Sequence, residues 1–177
     1  MAVPDRIPIR YQPEYRSWCI GHYDEGQFLG FVVVGNAYDY LARAGPGHSP
    51  DFLDPQVDDL LLQRVLHDRD FVNHQRHYSV LHLFDHDGRY QSTDLWYAGT
   101  GEGEPVQRAF ARLQEQVDAL PGRRYGDIAI GLFEADLEVD DLWFELVDES
   151  NEERGDWAEL YPNRWGFHPP WDGGYDT

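Results

Sequence analysis

Carboxylate side chains are concentrated late in the chain, where their spacing suits a binding surface. Between Glu134 and Glu159 the sequence holds twelve carboxylates and a single basic residue, Arg154. Successive side chains of a strand point to opposite faces, so a regular strand would place alternate residues of this stretch together. The carboxylates that share one parity are Glu134, Asp136, Glu138 and Asp140. The pattern therefore predicts an acidic face on one strand.

The next strand would extend this face and add an aromatic side chain. Trp143 and Glu145 have outward parity there, whereas Leu142, Phe144 and Leu146 would face the core. Carboxylates around an exposed aromatic residue suit a basic protein, which the charge would steer and the ring would anchor. Carboxylates at strand spacing would also imitate a phosphate backbone. The competing interpretation is a solvated outer face that protects an edge hairpin from aggregation.

Histidines form a second cluster of residues with possible chemistry. Imidazole and carboxylate groups are ligands of zinc and other divalent ions, and the candidates are His82, Asp85, His86 and Asp87. His67, His74 and His77 lie nearby in the sequence, but the spacing matches no closed zinc signature. A metal-dependent or small-ligand enzyme remains one hypothesis for this region, and a plain hairpin turn is the other.

The C-terminal residues are a third candidate, because they are rich in aromatic side chains. A groove for a peptide or a sugar would be lined by Trp165, Phe167, His168, Trp171, Asp172 and Tyr175. The alternative is a structural strap that covers apolar surface. Either way, we expect residues 162–177 to be ordered and to lie near Tyr11, Tyr15 and Trp18.

The sequence contains none of the short catalytic motifs that specify a reaction. It has no P-loop, no G-x-G-x-x-G and no G-x-S-x-G pattern. We therefore predict no catalytic residues and no cofactor, and the interpretation leans away from an enzyme.

Composition restricts the partners more than the reaction. The chain has 33 acidic and 14 basic residues, all of the latter arginine, and a formal net charge of -19. Such a charge repels nucleic acids and anionic membranes and attracts basic proteins, although it would also arise from general solubility or salt adaptation. The single cysteine, Cys19, and the lack of a long apolar run predict a cytoplasmic protein with one domain spanning residues 1–177.

Turn signals and hydrophobic periodicity predict an α+β fold built from hairpins. The three hairpins are expected at Arg16–Tyr23 with Phe28–Asn36, Tyr78–Asp85 with Arg89–Ala98, and Tyr125–Val139 with Leu142–Glu149. Helices are expected from Asp54 to Val65 and from Pro105 to Leu120, and a short strand at Trp157–Tyr161. The predicted architecture is one mostly antiparallel sheet of about six or seven strands with two helices packed on one face.

Three stretches of the chain also resemble a known group of proteins. They are Val80–Asp85, Tyr125–Ile130 and the ending Pro170-Trp171-Asp172-Gly173-Gly174-Tyr175-Asp176-Thr177. They resemble small acidic proteins of GC-rich bacteria, sometimes labelled formate hydrogenlyase regulatory-like, and the resemblance implies no functional residues. In size, acidity and tryptophan content the chain is also similar to immunity proteins that neutralise bacterial toxins.

Overall fold

Hairpins build most of the structure, as the turn signals predict. The computed structural model describes residues 2–14, 18–35, 75–101, 103–140 and 142–176. Five antiparallel strands form the main sheet: β2 (Trp18–Tyr23), β3 (Gly26–Gly35), β4 (Arg76–Phe84), β5 (Tyr90–Thr100) and β6 (Arg124–Tyr125). Their order across the sheet is β5-β4-β3-β2-β6.

The first two predicted hairpins are confirmed, and the second shows why its turn forms. The side chain of Asp85 accepts hydrogen bonds from the backbone N–H groups of Asp87 and Arg89, both at 2.9 Å. Gly88 has φ +85°, a left-handed conformation that glycine adopts without steric cost. The Asp-Gly pair therefore closes the connection between β4 and β5.

Helix α1 (Glu104–Asp118) confirms the second predicted helix and covers one face of the main sheet. Pro105 lies in its first turn, where the missing N–H costs no hydrogen bond. Leu113 and Val117 are buried against Phe28 and Leu81 of the sheet. The first predicted helix, Asp54–Val65, lies outside the described residues.

A second sheet covers the opposite face of the main sheet. Its strands are β8 (Phe133–Val139), β9 (Leu142–Asp148), β10 (Ala158–Tyr161) and β11 (Trp165–Phe167). They are all antiparallel, in the order β11-β10-β9-β8. Phe144 and Leu146 of this sheet share one core with Phe31 and Val80 of the main sheet. Because β3 is covered on both faces, it is buried at nearly every position.

The predicted fold class is therefore wrong in its architecture. The described residues form three sheets and one helix, rather than one sheet with two helices on one face. The predicted strand Tyr125–Val139 is divided among the three sheets. Its middle part, β7 (Ile128–Ile130), pairs with β1 (Ile7–Ile9), and all four isoleucines of this pair are buried. The apolar residues of β7 have the same parity as the acidic residues of β8, so in one continuous strand they would share a face. Gly131 and Leu132 separate the two strands, so this conflict does not arise.

The C-terminal residues are ordered. They lie across the core and contact residues near the start of the chain. Phe167 is buried in the core, and the backbone of Gly166 pairs with that of Asp176. The N–H group of Arg10 donates to the carbonyl oxygen of Gly173 at 3.0 Å. A contact with the N-terminal residues is thus made by Arg10, which was not among the predicted residues. Tyr11, which was, stacks on Tyr125, and Tyr15 and the side chain of Trp18 lie outside the described parts.

No helix among the described residues combines the length and the apolar character that crossing a membrane would require.

Candidate interaction surface on the second sheet

The outer face of the second sheet carries most of the predicted partner-binding residues. Glu134, Asp136 and Glu138 alternate along β8 with half-buried Ala135 and Leu137, and all three carboxylates are exposed. On β9 the buried Phe144 and Leu146 point inward, so the parity of Trp143 and Glu145 places them on the outer side. A register shift lies between Glu134 and Glu138, so the pairing with β9 is irregular there.

Strand β10 extends this face with residues that the sequence analysis did not single out. Glu159 pairs with Val147, and Tyr161 pairs with Glu145, so both lie on the outer side, while Leu160 is buried. We define the acidic face as Glu134, Asp136, Glu138, Trp143, Glu145, Glu149, Glu159 and Tyr161. Strand β10 was predicted, but its pairing register depends on contacts distant in sequence.

Like charges meet at the centre of the acidic face. Glu134 and Glu145 are directly opposed on neighbouring strands. Burial raises the pKa of the Glu145 carboxyl, the charges of Glu134 and Glu149 raise it further, and hydrogen bonding from Trp143 acts in the opposite direction. Opposed like charges destabilise a sheet, so a cation placed here would relieve repulsion.

Two aromatic rings lie beside these carboxylates. The ring centroids of Trp143 and Tyr161 are 5.4 Å apart, and Trp143 is 40% exposed. The hydroxyl of Tyr161 donates a hydrogen bond to Oε1 of Glu149 at 3.2 Å. Burial, followed by hydrogen bonding to Glu159, raises the pKa of Tyr161. Trp143 therefore offers an exposed aromatic surface among carboxylates, and half-buried Tyr161 packs against it.

An arginine of the chain itself binds at one border of the acidic face. The guanidinium carbon of Arg154 lies 4.9 Å from the ring centroid of Trp157. Its Nη1 is 3.5 Å from Oε1 of Glu159, and the indole N–H of Trp157 donates to the same oxygen at 3.2 Å. An indole and a carboxylate two residues apart thus hold one guanidinium group.

Asp140 does not join the acidic face, although its sequence parity suggests that it should. Strand β8 ends at Val139, and Asp140 adopts a left-handed conformation with φ 48°. Its Oδ1 pairs with Nη1 of Arg76 at 2.8 Å, and its other oxygen accepts a hydrogen bond from the hydroxyl of Tyr78. The Asp140 side chain is only 10% exposed, so it connects the β8–β9 turn to strand β4.

The candidate metal ligands do not converge. His82 is fully buried among the rings of Phe31, Phe133 and Phe144, and its Nδ1 is hydrogen-bonded to the Thr93 hydroxyl at 2.6 Å. Burial lowers the pKa of His82 to about 3, so the ring is neutral.

The other candidates belong to the β4–β5 turn and its surroundings. Asp85 accepts hydrogen bonds from its own turn, which contains Asp87, and Nε2 of His86 donates to the carbonyl oxygen of Asp24 at 3.0 Å. Nowhere in the described parts do three or more His, Cys, Asp or Glu side chains form a group that could hold a metal ion. His67 and His74 lie outside those parts.

The C-terminal aromatic residues bind one another rather than framing a common opening. Trp165 stacks on Tyr175 with a centroid distance of 5.0 Å, and Trp171 packs against the core. His168 stacks on Trp157 at 5.2 Å, and its Nε2 lies 3.1 Å from a carboxylate oxygen of Asp176. The side chain of Asp172 accepts a hydrogen bond from the N–H of Gly174. These contacts are those of a structural strap.

A separate cleft lies at the edge of β5. Its volume is about 550 Å³, and apolar residues such as Leu81, Leu83 and Leu95 line much of it. The charged residue of its lining, Asp94, accepts a hydrogen bond from Gln116 at 2.5 Å. The lining thus contains no pair of acid and base for catalysis.

Comparison with protein-family models, with curated proteins and with solved structures finds no match to this chain. The resemblance to small acidic bacterial proteins therefore stays a prediction, and the surface has to be interpreted from its own chemistry.

Proposed function

We propose that this protein is an interaction protein, an inhibitor or immunity-type partner, that docks a basic protein on its acidic face. The observation that carries the proposal is the exposed Trp143, which packs against half-buried Tyr161 and lies among outward carboxylates. Aromatic residues supply the buried anchors of interfaces, and complementary charge steers the encounter. The chain's net charge of -19 supports the same class of partner.

The geometry favours this function over the two alternatives from the sequence. A metal-dependent or small-ligand enzyme would need His82 at an accessible site, but the ring is fully buried. A peptide or sugar groove would need open aromatic faces at the C-terminus, but Trp165 and Tyr175 cover each other.

The proposal is tested by removing charge from the acidic face without changing side-chain shape. The variant is Glu134→Gln, Asp136→Asn and Glu145→Gln. We expect tagged wild-type protein to retain a basic protein from a lysate of its source cells at low salt, and the variant to lose it. With the purified partner, the association rate should fall about tenfold at low salt, and its salt dependence should flatten.

The matched control removes the same number of charges elsewhere. Glu25→Gln, Asp87→Asn and Glu115→Gln change exposed residues outside the acidic face. This control should bind as the wild type does. Equal binding by wild type, variant and control would show that the acidic face is not the docking surface, and so would equal loss in both variants.

A further inference from the structure

The outer side of the second sheet contains the same side-chain arrangement twice. Trp157 and Glu159 are two residues apart at the start of β10, and Trp143 and Glu145 are two residues apart on β9. The indole N–H of Trp157 donates a hydrogen bond to Oε1 of Glu159 at 3.2 Å, and Glu145 follows Trp143 at the same spacing along its strand. We call these the Trp157–Glu159 unit and the Trp143–Glu145 unit.

The Trp157–Glu159 unit shows what such an arrangement binds. Arg154 places its guanidinium group over the indole at 4.9 Å and its Nη1 3.5 Å from the carboxylate. The indole face attracts the cation, and the carboxylate attracts it through its opposite charge. The ligand of this unit is therefore an arginine, supplied by the β9–β10 connection of the same chain.

The Trp143–Glu145 unit has the same groups without an arginine of the described chain against them. Within the described residues, the guanidinium–ring contacts involve Trp96, Tyr125 and Trp157, and none involves Trp143. Tyr161 adds a second ring at 5.4 Å, and Glu134 opposes Glu145 directly. The unit thus combines an exposed indole, a neighbouring ring and two carboxylates.

We infer that the Trp143–Glu145 unit is an arginine-binding site, which takes an arginine side chain of the basic partner. A planar guanidinium stacks on an indole and hydrogen-bonds a carboxylate at the same time, whereas a lysine ammonium is a compact, strongly hydrated charge that does so less well. The inference rests on the proposed docking function and narrows it to a partner that presents arginine.

The first experiment measures binding of one side chain at a time. The probes are Nα-acetyl-arginine amide and Nα-acetyl-lysine amide, which each carry one positive charge. Their titration is followed by the indole N–H resonances in ¹H–¹⁵N spectra, with Trp143→Phe assigning the relevant signal. We expect the Trp143 signal to shift saturably, with the arginine probe binding about threefold or more tightly than the lysine probe.

Two variants separate a specific site from general attraction by a negative surface. Glu145→Gln should weaken the arginine probe and reduce its advantage over lysine, whereas the distant Glu115→Gln should leave both probes unchanged. Arg154→Ala empties the Trp157–Glu159 unit. The Trp157 signal should therefore not respond to the probe in the wild type but should shift with added arginine in this variant. The other indole resonances report whether each variant remains folded.

The outcomes distinguish this inference from the function on which it rests. Equal affinity for the two probes, an unshifted Trp143 signal, or an affinity that Glu145→Gln leaves unchanged would overturn the arginine site. The docking function would survive that result if charge removal from the acidic face still abolished partner capture. If partner capture did not depend on those charges, the proposed docking function would be wrong. The arginine site would then have no role in docking either.

Discussion

His82 is the residue whose surroundings depart most from what its sequence position suggests. It lies in a histidine-rich stretch that contains candidate metal ligands, yet its ring is fully buried among aromatic side chains. Its Nδ1 is hydrogen-bonded to Thr93, whose hydroxyl is also bonded to the Tyr90 hydroxyl at 2.6 Å. Protonation of the ring would bury a charge without a counterion, which is costly.

We therefore expect acid to destabilise the fold through His82. Burial lowers its pKa from 6.5 to about 3 in the folded protein, so between these values the unfolded chain binds a proton that the folded chain does not. This contribution to stability is intact above pH 6.5 and is lost as the pH falls towards 3, at up to about 1.4 kcal/mol per pH unit.

Urea unfolding of wild type and His82→Phe at pH values from about 7 to about 4 measures this effect. The free energy of unfolding should fall less steeply with acid in the variant, because only the carboxylates and other histidines then contribute. Parallel curves for the two proteins would show that His82 does not remain neutral on folding.

At the scale of elements, the turn between β8 and β9 is attached to the main sheet by a polar contact. Asp140 receives the Arg76 guanidinium and the Tyr78 hydroxyl on its two carboxylate oxygens. Burial is the largest cause of the raised pKa of Tyr78, and the hydrogen bond to Asp140 raises it further. This hydroxyl therefore remains a donor at neutral pH. The hairpin that carries Trp143 is thus held at its turn as well as by its core side chains.

Asp140→Asn should lower the free energy of unfolding by about 1–3 kcal/mol, because it removes the charge that pairs with a partly buried arginine. Asparagine tolerates the left-handed conformation as aspartate does, so the substitution tests the contact rather than the backbone. Urea unfolding measures the change.

Asp136→Asn, at an exposed position of the preceding strand β8, serves as the control and should stay within about 0.5 kcal/mol of the wild type. Similar small effects of both substitutions would mean that the Asp140 contact adds nothing to stability. In a double-mutant cycle, Tyr78→Phe should have a smaller effect in Asp140→Asn than in the wild type.

At the scale of the whole molecule, the charge has opposite effects on folding and on docking. A net charge of -19 makes the folded chain repel itself, and added salt screens this repulsion. The midpoint of urea unfolding should therefore rise with sodium chloride, while association with a basic partner should slow. An unfolding midpoint that fell with salt would show that favourable ion pairs, such as that of Arg76 with Asp140, outweigh the repulsion.

Local patterns predicted the elements better than the way they assemble. The Asp-Gly turn and the stripe through Ala109, Leu113 and Val117 depend on neighbours in sequence, so the second hairpin and helix α1 were predictable. The division of residues 125–139 among three sheets depends on partners as distant as β1, which no local pattern identifies. The predicted single sheet was wrong for this reason.

The candidate surface was likewise predictable only where it depends on local patterns in the sequence. Strand alternation was enough to place Glu134, Asp136 and Trp143 on one side. Glu159 and Tyr161 belong to the acidic face because of the register between β9 and β10. Asp140 does not belong to it because its backbone adopts a left-handed conformation in the turn. Both depend on contacts formed only in the folded chain.

Because Trp143 is exposed, its fluorescence can report the electrostatic potential of the acidic face. Among the tryptophans whose side chains are described, Trp143 is exposed and the others are partly buried, and carboxylates lie around Trp143. A cationic collisional quencher such as caesium is concentrated near such a surface, whereas iodide is excluded from it. The emission of Trp143 would then lose intensity to caesium well before it loses any to iodide. A bound partner that neutralised the carboxylates would abolish this difference, even where the total fluorescence hardly changed.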